Sequence, residues 1–296
     1  MAESQRSTKS RRELARHENF EQISPEVGEL DEQAFDESMA DNADETLGLL
    51  ADLTGATDRK LRELAKRLAG RLMLDVTRRG PSRRSGIGKI ETTRFDPDGD
   101  LDVDASIEPI TESFGTGSPL DIDRLRSRRW TKPTTALCLL VDRSGSMSGE
   151  SLASAAMGAA AVAWRAPTDY SVLVFAKDVI VAKSQDAHKA AETVVDAVLS
   201  LRGFGTTDVA GALRIASEQL ARSRASRKIT VLLSDCRSTV DGDVAAAARS
   251  LDELCIIAPE SDSEDARELA RLTGARWTTV SGPSTVAEAI ASVLDR

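Results

Sequence analysis

Aromatic side chains make up only 3% of the 296 residues. A core built without them must be filled by small and branched aliphatic groups, and the alanine-rich segments point to helices packed closely on a sheet. Histidine is nearly absent: His17 and His188 are the two in the chain, and neither stands with cysteine at zinc-ligand spacing. Three cysteines are an odd number. Cys138 and Cys255 lie inside apolar runs and Cys236 follows an acid, so buried reduced thiols are expected and a disulfide framework is not. No run is long and apolar enough to span a bilayer, and the N-terminus carries no apolar signal core. A cytoplasmic location away from membranes is the expectation. Positive charge is in deficit. The net charge of -9 argues against a general nucleic-acid binder.

The length suffices for one large domain or two small ones with a real core. Residues 1–40 are polar and poor in large apolar groups, a composition that predicts disorder. From Glu18 to Asp58 there are many acids and no Lys or Arg. Over residues 59–89 the sign reverses, and Leu61, Leu64, Leu68, Leu72 and Val76 recur at helical spacing. An acidic helix around 43–53 and this basic one are expected to pair as a helical hairpin over 41–79; a docking surface for an acidic partner is the other reading of the basic run. Residues 80–132 are rich in Gly, Pro and charge and read as an extended arm with a β-element. Within it, Asp96, Asp98, Asp100, Asp102 and Asp104 alternate, but no register puts Gly and Glu where a calcium loop needs them. A solvated acidic strand edge is the simpler account.

From residue 133 onwards the pattern changes. Apolar runs at 135–142, 169–176, 179–182, 228–235, 253–258 and 276–280 alternate with helical stretches at 150–165, 187–201, 208–225, 242–251, 263–272 and 285–294. The helical stretch that opens with the alanine-heavy 152–164 reads as buried. Such alternation predicts an α/β fold over 133–296: a doubly wound, mostly parallel six-stranded sheet with helices on both faces. The run at 179–182 follows its predecessor through a short turn, so it is expected to be an antiparallel edge strand.

The first of these runs ends in Asp142-Arg143-Ser144-Gly145-Ser146, which places one carboxylate and two hydroxyls at alternate positions. Thr206 offers a further hydroxyl in a Gly-rich loop, and Asp235 a second carboxylate at the end of another apolar run. An oxygen-only, partly charged set suits a hard divalent cation. In open α/β sheets, ligands bind beyond the carboxyl ends of strands where strand order reverses. This set resembles the metal-ion-dependent adhesion site of von Willebrand factor A (VWA) domains, with its DxSxS, loop Thr and strand-end Asp. The resemblance implies a Mg²⁺ (or Mn²⁺) site on Asp142, Ser144, Ser146, Thr206 and Asp235, completed by an acidic residue of a client protein. A metal that only ties strand ends together is the alternative. Cys236 departs from the pattern, since the family usually has Gly there; a changed local turn is expected more than changed metal chemistry.

Enzyme motifs are missing. Gly86-Ile87-Gly88-Lys89 lacks the Walker A residues, with Arg83 and Ile90 in their places. A haloacid dehalogenase phosphatase wants an acid where Ser144 stands. Gly145-Ser146-Met147-Ser148-Gly149 has Met, not Ser, at the centre of a nucleophile elbow. The segment 121–130 resembles CoxE-like VWA proteins and the magnesium-chelatase D group. Members of these families work with a MoxR-type AAA+ ATPase, which implies a non-enzymatic adaptor in client remodelling or metal-cofactor maturation. A magnesium-chelatase-like subunit and a stand-alone stress-response VWA protein are the alternatives.

Overall fold

Along the run 135–142, successive side chains must point to opposite faces of a strand. The computed structural model, which describes residues 8–79, 89–97, 100–131, 134–143, 149–201 and 205–295, covers both faces. Leu137, Leu139 and Val141 join one buried cluster, and Ala136, Cys138 and Leu140 join another. A strand buried on both sides has no reason to alternate apolar with polar residues, which is why the run is continuous.

The chain divides into two compact units, Met1–Arg83 with Thr135–Arg296, and Arg84–Thr134. The first unit begins with helices α1 (Arg11–Leu14), α2 (Phe20–Ile23), α3 (Glu32–Asp41), α4 (Ala43–Leu53) and α5 (Arg59–Arg79). The second contains strands β1 (Lys89–Arg94) and β2 (Asp100–Leu101), helix α6 (Val103–Thr116) and strand β3 (Arg126–Thr131). The first unit resumes with β4 (Thr135–Asp142), α7 (Glu150–Arg165), β5 (Tyr170–Phe175), β6 (Val179–Lys183), α8 (Ala191–Leu199) and α9 (Val209–Leu220). It ends with β7 (Arg227–Leu233), α10 (Val244–Arg249), β8 (Glu253–Pro259), α11 (Glu264–Thr273), β9 (Arg276–Val280) and α12 (Val286–Leu294).

The main sheet has the order β6-β5-β4-β7-β8-β9. All neighbours are parallel except β6, which pairs antiparallel with β5. This is the doubly wound sheet with an antiparallel edge strand that the alternation predicts. One face buries its side chains with α9, α10 and α11. The other packs on α7, α8 and α12, and there the core continues outward into α4 and α5.

That continuation corrects two expectations. Residues 8–41 are folded, not disordered: Leu14, Phe20, Ile23 and Phe35 are fully buried in the sheet's own core cluster. Side-chain caps start two of the segment's helices, α1 and α3. Ser10 and Glu13 form a reciprocal capping box on α1, and Asp31 accepts from the Gln33 and Ala34 N–H groups on α3. Four well-placed anchors on an existing surface suffice where average hydropathy is low. Nor do α4 and α5 form a hairpin domain of their own; they share the core of α7 and α8. The cations of α5 reach Glu32 of α3 (Arg71, 2.7 Å) and Asp196 of α8 (Lys66, 3.1 Å), whereas the acids of α4 are used elsewhere.

The second unit is more than an extended arm. Its three strands form an antiparallel sheet in the order β1-β3-β2, joined by a helix over residues that read as linker because of Pro109 and the surrounding charge. The expected acidic strand edge is also corrected. Asp102 is buried and caps α6 by accepting from the Ala105 N–H (3.2 Å), while Thr92 donates to it at 2.7 Å and Arg128 pairs with it at 3.1 Å. The Thr92 and Ala105 hydrogen bonds hold its carboxyl below the ordinary carboxylate range. Asp104 lies in the first helical turn, where an acid complements the helix dipole.

Candidate functional site

Strand order reverses between β4 and β7. Chain connections leave this point towards β6 on one side and towards β9 on the other, so the loops diverge and a crevice opens above the strand ends. Asp142 closes β4, and Asp235 lies two residues beyond β7. Both line a cavity of about 310 Å³ together with Glu150, Ser154, Ser234 and Ser281. The Ser234 hydroxyl donates to Asp142 Oδ2 at 2.7 Å and accepts the Cys236 N–H at 2.9 Å. One serine therefore ties the two strand ends together.

Cys236 adopts φ +66°, a left-handed conformation natural to Gly. Cys here accepts the strain that Gly would avoid. Its thiol is buried, and burial followed by the neighbouring Asp235 and Asp142 pushes its pKa well up. It is not a reactive nucleophile.

Thr206 is exposed, in the loop before α9, and is not among the residues that line the cavity. Its loop is nonetheless fixed to the segments that follow β5 and β7. The Asp208 N–H donates to Ala176 O beyond β5 (2.9 Å), the Thr207 N–H donates to Thr239 Oγ1 (2.7 Å), and the Thr239 N–H returns to Thr207 O (3.0 Å). Ser144 and Ser146 lie outside the described residues. Of the five expected ligands, then, the structure gathers Asp142 and Asp235 in one cavity and holds Thr206 in an adjoining loop. The donor chemistry of these three is oxygen only, with two carboxylates, and it fits a hard divalent cation.

Sequence reasoning missed a second set of residues at the rim. Asp44, Gly48 and Asp52 recur every four residues on α4, and so share approximately one helix face. Asp52 is only 4% exposed. Its Oδ1 accepts the Gly149 N–H at 2.7 Å, and its Oδ2 takes Lys9 Nζ at 2.5 Å and His17 Nε2 at 3.2 Å. Burial alone would raise the pKa of Asp52, but the bonds from His17, Lys9 and Gly149 outweigh it and hold the carboxyl below its ordinary range. Gly149 has φ +56° and is the residue from which α7 starts, on the far side of the Asp142–Ser146 segment. At the other end of α4, Asp44 Oδ1 accepts the Ser284 N–H at 2.7 Å in the turn after β9. Gly48 lies so close to Glu150 that a Cβ there would stand 3.0 Å from the Glu150 nitrogen. The legible signal was Asp52 inside the apolar stretch Leu47–Leu53 of α4, since a carboxylate facing a core must be paired.

Residues 53–293 match the family model of the VWA domain containing CoxE-like protein. The chain belongs to the CoxE-like VWA proteins. The family match takes in α5 and the β1–β3 unit as well as the sheet. Similar solved structures include an aerotolerance-related membrane protein from Bacteroides fragilis, with 15% identity over 55% of this chain and 98% of that one at TM-score 0.43. A von Willebrand factor type A protein from Catenulispora acidiphila shares 16% identity over 55% of this chain and 42% of its own, also at TM-score 0.43. Manganese-loaded TRAP protein of Plasmodium vivax shares 15% identity over 52% and 71%, at TM-score 0.44. No curated protein matches the CoxE-like chain. Among the described residues, no helix is long and apolar enough to cross a membrane.

Proposed function

We propose that this CoxE-like protein is a non-enzymatic adaptor that docks a client through a divalent cation, Mg²⁺ by preference, held by Asp142, Ser144, Ser146, Thr206 and Asp235. The observation that carries the reading is the placement of Asp142 and Asp235 on one crevice at the switch point of the sheet. When bound, the cation would supply a Lewis-acidic position for a carboxylate from outside. Asp142 and Asp235 neutralise charge without saturating the coordination sphere, and Ser234 fixes the orientation of Asp142. The client's Asp or Glu completes the site. Resemblance to CoxE-like proteins supports a MoxR-type AAA+ ATPase as the working partner, with this chain recognising the client and the ATPase driving its remodelling or metal-cofactor maturation in the cytoplasm.

Thermal unfolding with and without Mg²⁺ tests the site. A ligand that binds only the folded state stabilises by about 2.7 kcal/mol at a hundredfold excess over Kd. The wild-type midpoint is expected to rise in Mg²⁺ and fall back in EDTA, while Asp142→Ala remains folded and indifferent to both. A wild-type midpoint that neither Mg²⁺ nor Mn²⁺ moves would remove the metal from the reading. Affinity capture of the MoxR-type ATPase or a metalloenzyme in Mg²⁺ but not in EDTA supports the adaptor role; capture equal in both conditions contradicts metal-dependent docking.

A further inference from the structure

The crevice is larger than a cation needs, and it extends to one side of the expected ligands. Its lining runs from the end of β4 past β7 and β8 to β9. That direction leads away from β5, beyond which the Thr206 loop is anchored at Ala176. Ligand oxygens stand only about 2.0–2.6 Å from a hard divalent ion, so the ion leaves most of the cavity of about 310 Å³ free. The remainder has a definite make-up. Val141, Leu233 and Val280, buried at the ends of β4, β7 and β9, form an apolar floor. Glu150, Ser154, Ser261 and Ser281 also line the cavity, and none of them is buried. Neither the Glu150 carboxylate nor these three hydroxyls has a hydrogen-bond or ion-pair partner among the described residues. Other polar groups around the crevice are committed: Ser234 to Asp142, Asp52 to Gly149 and Asp44 to Ser284.

Apolar floor and open acid together select the occupant. No Lys, Arg or His stands among the described lining residues, and Arg237, two residues past Asp235, is held by Asp262 and Asp265. A divalent cation on Asp142 and Asp235 leaves Glu150 uncompensated, and a client carboxylate on that cation adds a further negative charge. As a first-turn acid, Glu150 also complements the α7 dipole. That accounts for an acid at this position but not for the open hydroxyls around it. An uncharged aliphatic side chain would cover the floor and strip water from Glu150 with nothing in return. We infer that this compartment is a specificity pocket for a Lys or Arg side chain of the client, close in its sequence to the carboxylate that completes the metal site. The aliphatic stem covers Val141, Leu233 and Val280, while the cationic head meets Glu150 and the serine hydroxyls. The inference rests on the cation site proposed above. It narrows the client from any exposed acid to an acid with a basic neighbour.

Titration of the full ¹⁵N-labelled chain with synthetic peptides in Mg²⁺, followed by amide chemical shifts, tests this. The probes are short blocked Gly-Ser peptides that carry one Asp and, at several spacings from it, one Lys; the controls carry norleucine or Glu in place of Lys. At one spacing or more, the Lys peptide is expected to bind at least about tenfold more tightly than its norleucine control, and to lose that binding in EDTA. Glu150→Gln is expected to bring the Lys peptide down to the norleucine level. Glu150 is exposed, so this isosteric change leaves the fold intact, which the amide spectrum verifies. Mg²⁺ binding without a preference for Lys at any spacing overturns the pocket and leaves the metal site standing. So does a preference that survives Glu150→Gln, because the cationic head then lies elsewhere. Loss of Mg²⁺ binding by peptide-free Glu150→Gln also overturns it, since Glu150 is then a metal ligand. A wild-type chain that neither Mg²⁺ nor Mn²⁺ stabilises removes the metal reading, and the pocket with it.

Discussion

A carboxylate removed from water must recover its solvation from protein groups, and Asp52 does so from Lys9, His17 and the Gly149 N–H at once. Removing one member of a buried charge cluster costs about 3–5 kcal/mol because the others are left uncompensated. Asp52→Ala is therefore expected to lower stability by about 3 kcal/mol, measured by denaturant unfolding, and to weaken the divalent-cation binding proposed for Asp142 and Asp235, because Gly149 loses its fixed partner. Asp52→Asn can still accept from Gly149 while losing the charge. It is expected to restore most of the metal affinity but only part of the stability, which separates positioning from electrostatics. The pH dependence has a definite sign. The folded-state pKa of Asp52 lies below its ordinary 3.8, so its contribution is fully present above that value and is lost as pH falls through the depressed one. Acid unfolding is expected to shift towards neutrality in Asp52→Ala.

At the scale of elements, α7 explains what the N-terminal helices are for. Its buried residues run almost without a break from Leu152 to Ala163. A helix apolar all round needs cover on both sides. The sheet supplies one side: at Gly158 a Cβ would stand 3.3 Å from the Leu139 side chain. Helices α4 and α5, in the same buried cluster, supply the other. Deleting residues 1–41 removes Leu14, Phe20, Ile23 and Phe35 from that core, each worth about 1.5–3 kcal/mol. The thermal midpoint is expected to fall by more than about 10 °C; a shift of only a degree or two would mean that these residues contribute nothing. The strands were legible because a doubly covered strand is a short unbroken apolar run, as at Leu137–Val141. Asp142 and Asp235 were legible because both stand at the ends of such runs. Residues 8–41 were not, because composition averages over sparse anchors, and α6 was not, because Pro109 and its acids imitate a loop. The buried nature of α7 was visible, but what covered it was not, since the cover is distant in sequence. Asp52 was hidden for the same reason: its three partners come from separate parts of the chain.

Over the whole molecule, ionisable groups that folding keeps neutral set an upper limit on pH. Cys138, Cys236 and Cys255 are all buried free thiols. Burial pushes Cys138 from 9.0 up to about 12, and raises the other two as well. For a raised pKa the stability is complete below the unfolded value and declines as pH climbs above it, because only the unfolded chain releases the proton. Each thiol costs up to about 1.4 kcal/mol per pH unit above that value. The thermal midpoint is expected to drop between pH 8 and pH 10, and a variant with all three cysteines replaced by alanine is expected to drop less. Identical pH slopes for the two proteins would show that thiol ionisation plays no part.

Helix α4 carries an acid towards each of its ends, and each acid grips a different wall of the same crevice. Asp44 holds the turn after β9 at Ser284, and Asp52 holds the start of α7 at Gly149. Eight residues of helix separate them, a span of about 12 Å at 1.5 Å per residue. The aperture of the crevice above Asp142 and Asp235 is thus set by a length of helix, as a gauge block sets a gap. Its width is written in residue number and not in the affinity of any one contact.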